Sequence, residues 1–260
     1  MGSGWPLRLN LILIGTLASL LAGMATVIGA STVFFMRRIS EKILDTAMGF
    51  AAGVMISATF FGLIIPAIRI GNIWKTSIGF VFGSLFLIIL EKAIPHMHRV
   101  AGIKAGIKGP PVFINKIWLI VLAITIHNFP EGLAVGVGFA GGDISSGIVL
   151  AIGIGIQNII EGLVVAIPLF KDKKNAMKAF LIASFTCVVE PIGGFLGISV
   201  VSLTKYLIPY GLAFAAGAML FVTMEEIIPE THSRGNVREA TIGIMIGVIV
   251  MMILEHIFVL

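Results

Sequence analysis

Two stretches of this chain repeat the same polar residues at the same spacing. His127 and Glu131 stand four residues apart, and thirty positions on Gln157 and Glu161 stand four apart again. On a helix that spacing puts both side chains of a pair on one face. Asn128 and Asn158 each fall three positions before the same glutamates, and Glu190 supplies a third carboxylate in an otherwise apolar stretch. If Glu131, Glu161 and Glu190 were ionised and unpaired at low dielectric, their mutual repulsion would be prohibitive, so a cation or protons must sit among them. Imidazole, carboxylate and amide oxygen together suit zinc and its first-row neighbours. Copper(I) would instead ask for thiolates or thioethers. A lone intramembrane histidine or glutamate is often no more than a packing residue; a repeated set is harder to dismiss.

The elements that carry these residues are membrane spans. Of 260 residues 58% are hydrophobic and 12% charged, against about 25% charged in an ordinary soluble domain. Apolar runs of about 20 residues, enough to cross a hydrocarbon core, fall at about 11–35, 46–69, 74–94, 116–140, 146–170, 178–204, 206–229 and 239–259. The expectation is one all-α, polytopic membrane domain over residues 1–260 with eight transmembrane helices. The first run exceeds the 7 to 15 residues of a signal core and no clear cleavage site follows, so it is kept as a span. The stretch from Ala93 to Asn115, with Gly102, Gly106, Gly109 and Pro110-Pro111, reads as a linker.

Fourteen of the 18 lysines and arginines lie in odd-numbered connections: Arg37, Arg38 and Lys42; Lys92, Arg99, Lys104, Lys108 and Lys116; Lys171, Lys173, Lys174 and Lys178; Arg234 and Arg238. The net charge of +5 therefore reports orientation and not nucleic-acid binding, and the positive-inside rule puts the odd loops in the cytoplasm and both termini outside. The single cysteine, Cys187, excludes an intrachain disulfide.

Two internal repeats follow. His127-Asn128-Phe129-Pro130-Glu131-Gly132-Leu133 aligns with Gln157-Asn158-Ile159-Ile160-Glu161-Gly162-Leu163, which makes spans four and five oppositely directed copies. At an offset of 164, Phe50-Ala51-Ala52-Gly53, Met55, Thr59 and Ile64 recur as Phe214-Ala215-Ala216-Gly217, Met219, Thr223 and Ile228. The expectation is a 3+2+3 inverted-repeat arrangement, three spans on each side of the central pair. Pro130 frees the carbonyl of Ile126, so span four should kink beside the site. Glu225, Glu226, Glu230 and His232 near one end of span seven, and Glu91, His96 and His98 after span three, either line an exit vestibule or are ordinary charged helix ends. Glu255 and His256 should snorkel at the end of span eight.

These residues resemble the paired signature of the ZIP metal transporters, and Gln157 in the second copy resembles the bacterial GufA-like branch. The likeness extends through Gly49-Phe50-Ala51-Ala52-Gly53-Val54-Met55, Pro95-His96-Met97-His98, Glu190-Pro191-Ile192-Gly193 and Glu225-Glu226-Ile227-Ile228-Pro229-Glu230. It implies eight helices with external termini in the plasma membrane, and a binuclear site between spans four and five that passes zinc into the cytoplasm. His127, Glu131, Gln157 and Glu161 would hold one ion, with Met55 touching it. Asn128, Asn158, Glu131, Glu161 and Glu190 would hold the other. Glu91, His96, His98, Glu226 and Glu230 would line the release side. In that family spans one, four, five and six are thought to move as a unit, giving alternating access. Ile160 departs from the proline usual at its position.

The cargo is Zn2+, with Cd2+, Fe2+ and Mn2+ as rivals, and no catalytic cofactor is expected. The partners are these ions and the lipid bilayer, with a homodimer left open and no nucleic acid. A metal-selective channel shares every one of these features. An intramembrane metal-dependent hydrolase is disfavoured, because His-Glu-x-x-His is lacking and transport, unlike hydrolysis, accounts for duplicated ligands. No enzyme activity is expected.

Overall fold

The computed structural model describes residues 5–36, 39–94, 96–97, 107–108, 116–140, 144–173 and 175–259. It is all-α apart from a two-residue antiparallel pairing of His96–Met97 with Ile107–Lys108. Among the described residues eight helices are long and apolar enough to cross a membrane: Leu9–Phe34, Glu41–Ile70, Ile73–Ala93, Val121–Ala140, Ile144–Lys171, Ala176–Ser202, Lys205–His232 and Val237–Phe258. They are numbered one to eight below. Several start on side-chain caps, with Ser40 accepting from Ile43 N–H, Asn72 from Lys75 N–H and Asn175 from Lys178 N–H. Each satisfies an otherwise orphaned amide at a helix start.

Helix breaks fall in three spans, and span four is not among them. That helix runs as α-helix from Lys116 to Ala140 with Pro130 inside it. Span two instead passes through a π-helical segment at Ala58–Ile64 and span seven through one at Thr223–Ile227, each just ahead of a proline, Pro66 and Pro229. Span six has a 3-10 turn at Thr186–Val188 before Pro191. A proline leaves one carbonyl without its helical donor, and a local change of helix type is one way to absorb it.

Close backbone contact at glycines joins the spans in four pairs, four with six and one with five in one half of the bundle, two with eight and three with seven in the other. A Cβ built on Gly132 would lie 2.0 Å from the Glu190 carbonyl oxygen of span six, and one on Gly162 would lie 2.1 Å from that of Thr26 in span one. In the other half, Gly53 meets the Ile244 carbonyl of span eight at 2.1 Å and Gly217 meets the Phe80 carbonyl of span three at 2.0 Å. Such helices approach more closely than any side chain allows, as in membrane interfaces built on small residues. Within each of these pairs residue numbers rise together, as they must for spans of the same direction. Between the pairs glycines meet side chains: Leu150 at Gly62, Met251 at Gly153 and Val201 at Gly211, and equally Ile198 at Gly15 and Ser19 at Gly194. One apolar cluster (Ala30, Val33, Val121, Val165, Ala166, Leu169, Ala179, Ala183) draws its buried residues from spans one, four, five and six alone. The larger core joins both halves.

Candidate metal site

Spans four, five and six bring the expected polar residues together. Asn128, Glu131, Gln157, Asn158 and Glu190 are wholly buried, His127 nearly so, and Glu161 is half-buried. Gln157 donates from Nε2 to Glu131 Oε1 at 2.5 Å and, more weakly, to Glu161 Oε1 at 3.4 Å. Asn158 Nδ2 lies 3.0 Å from both Glu190 oxygens and 3.0 Å from the Ala22 carbonyl of span one. Asn128 Nδ2 faces Glu190 Oε1 at 3.4 Å and the Thr186 carbonyl, in the 3-10 turn of span six, at 3.3 Å. The close approach at Gly132 seats Glu190 against span four, and Ser19 of span one donates to the Glu190 carbonyl at 2.8 Å.

Five buried oxygens of these residues lack a hydrogen-bond partner: Glu131 Oε2, Glu161 Oε2, Gln157 Oε1, Asn128 Oδ1 and Asn158 Oδ1. Each is an acceptor, and leaving a buried acceptor unmatched costs about 1–3 kcal/mol. A set of buried oxygens with no donor is what a hard or borderline cation would satisfy. Among the described residues no three His, Cys, Asp or Glu side chains already close around one point as a metal cage; the amides stand between the carboxylates.

Met55 is buried in span two, with Thr223 Oγ1 of span seven 3.6 Å from its sulphur. Three residues beyond Thr223, Glu226 is buried and pairs with His127 Nε2, so a residue expected on the release side touches a residue of the site itself. Glu230 is held by Arg234, which also pairs with the buried Asp45 of span two, while Asn236 donates to Asp45 at 2.9 Å. Glu91 is buried at the end of span three. His96 is placed only through its strand backbone, and His98 lies outside the described residues.

Glu255 corrects an expectation. It does not snorkel but is 5% exposed in span eight, with Oε1 at 3.2 Å from a Cβ built on Gly62. The small surface of Gly62 leaves a recess for the carboxyl. His256 is exposed, as expected of a helix end. Asp45 and Thr223 were not expected at all. The acid in the first turns of span two was the available signal for the former, and Thr59 at the repeat offset of 164 for the latter.

Comparison with known proteins gives one consistent answer. Residues 113–255 match the family model described as ZIP Zinc transporter. The zinc transporter GufA of Myxococcus xanthus is 41% identical over 252 residues, covering 93% of this chain and 97% of that protein. The zinc transporter ZIPB of Bordetella bronchiseptica is 38% identical over 244 residues, covering 89% and 77%. The human zinc transporter ZIP11 is 31% identical over 317 aligned positions, covering 88% and 93%.

Proposed function

Because the chain belongs to the ZIP zinc transporter family, whose members are transporters rather than enzymes, we propose that it carries zinc into the cytoplasm through two adjacent ion positions between spans four and five. The observation that carries this reading is the set of five buried oxygens without donors, at Glu131, Glu161, Gln157, Asn128 and Asn158. One ion takes His127, Glu131, Gln157 and Glu161, with Met55 alongside. The second takes Asn128, Asn158 and Glu190 and shares Glu131 and Glu161. Turning a carboxamide by 180° exchanges its donor for its acceptor, so the amides that now bridge the carboxylates are equally able to present oxygen to an ion.

Alternating access is supported by the buried apolar cluster drawn from spans one, four, five and six alone. Backbone meets backbone at glycines between spans one and five and between four and six, and likewise between two and eight and between three and seven. The His127–Glu226 pair joins span four to span seven. The spans bearing the site would move together against the remaining four. With the basic odd loops in the cytoplasm and both termini outside, the potential across the plasma membrane drives a divalent ion inward, by about 2.3 kcal/mol per charge per 100 mV.

The test is uptake by proteoliposomes holding the purified chain. Zinc enters with saturation, calcium does not, and zinc preloaded on the far side accelerates entry, because a carrier returns faster loaded than empty. Saturating entry without such acceleration would favour the metal-selective channel. Zinc binding with no flux at all would remove transport.

A further inference from the structure

One face of span seven runs past the site and beyond it. Glu226 pairs with His127, Thr223 stands 3.6 Å from the Met55 sulphur, and Met219 follows one turn away, its carbonyl accepting the Thr223 hydroxyl at 2.8 Å. Met219, Thr223 and Glu226 recur at helical spacing, so they form one stripe. Met219 is wholly buried. Gly217, two residues before it and so about 200° around the helix, faces Phe80 of span three. Met219 therefore points away from span three, into the interior where span seven meets spans two and four.

The repeat places the same residue types on span two. Met219 and Thr223 stand at the offset of 164 from Met55 and Thr59. Spans two and seven thus carry two thioether and hydroxyl pairs, of which Met55 and Thr223 are in contact at 3.6 Å, the Thr223 proton going to the Met219 carbonyl. The counterpart hydroxyl, the buried Thr59 Oγ1, has no hydrogen-bond partner.

The geometry points to Met219 as a second thioether contact for the ion, engaged after the site-bearing spans have moved along span seven to face the other side. This rests on the transport reading above. His127 now lies level with Glu226. Met219 is seven residues away on the same stripe, about 10 Å at 1.5 Å per residue, so a slide of two helical turns brings His127 from Glu226 to Met219. A thioether is a soft ligand, so it favours cadmium over zinc.

Two measurements test this. Met219→Leu conserves volume and is tolerated in packed cores. In proteoliposomes it should lower the ratio of cadmium to zinc uptake several-fold, and an unchanged ratio overturns the proposal. Separately, in a Cys187→Ser background, His127→Cys is combined with Met219→Cys or with Glu226→Cys. Mercuric ion is added, and maleimide reports which thiols are protected. Protection of both pairs is expected. Protection of the Glu226→Cys pair alone shows that His127 never reaches Met219 and overturns the inference. A wild-type chain that carries neither ion would instead defeat the transport reading, and the thiol result would still decide whether the two residues meet.

Discussion

Arg234 holds two carboxylates at once, Glu230 near the end of span seven and the wholly buried Asp45 of span two. Removing one partner of a buried pair leaves an uncompensated charge, which costs roughly 3–5 kcal/mol. Arg234→Met should therefore lower the melting temperature in detergent markedly, and adding Asp45→Asn should recover part of the loss. A double variant as unstable as the two single effects combined would show that the pair is not coupled. None of this was legible beforehand, because Arg234 sits in a connection where a basic residue already had an explanation in membrane orientation. The buried polar cluster was legible for the opposite reason. A carboxylate in mid-span costs roughly 2.5–3.5 kcal/mol on insertion scales, so Glu131, Glu161 and Glu190 each demanded an account. The repetition of His127 and Asn128 as Gln157 and Asn158 supplied one. The partners of these residues were hidden, since nothing in the spacing of Glu226 says that it reaches across to His127.

At the scale of the element, the close crossing at Gly132 fixes where Glu190 stands relative to Glu131. A methyl group there would meet the Glu190 carbonyl at 2.0 Å and must push span six away, whereas one on Gly155 meets nothing nearer than 3.7 Å. Gly132→Ala should cost roughly 1–3 kcal/mol, as overpacking does, and weaken zinc binding, while Gly155→Ala leaves both unchanged. Thermal melting and zinc titration of the two variants check this, and equal behaviour would contradict it. Hydropathy alone was enough to count the eight helices, because 20 apolar residues have few other uses. The breaks within them were not readable. Pro130 lies in continuous α-helix while π or 3-10 segments precede Pro66, Pro191 and Pro229. Each proline removes the same donor, and neighbouring spans decide how the backbone absorbs the loss. Span four, clamped to span six at Gly132 and Gly136, keeps its α-helical assignment throughout.

For the whole molecule, four closely packed pairs of spans make up the described bundle, and a buried apolar cluster joins spans one, four, five and six. Gly29 and Gly193, also 164 apart, meet the carbonyls of Ile159 and Phe129, themselves 30 apart. The repeats were visible in the sequence as offsets of 30 and 164. Which spans would lock together was not, since close approach depends on glycines meeting carbonyls of distant spans. The central claim is that ions cross at the carboxylates of spans four and five. Glu131→Gln keeps the shape and the hydrogen bond from Gln157 in reach but removes the charge. In proteoliposomes, zinc flux and zinc binding should both fall to background in Glu131→Gln. Flux that persists at the wild-type rate in a properly folded Glu131→Gln would contradict the account.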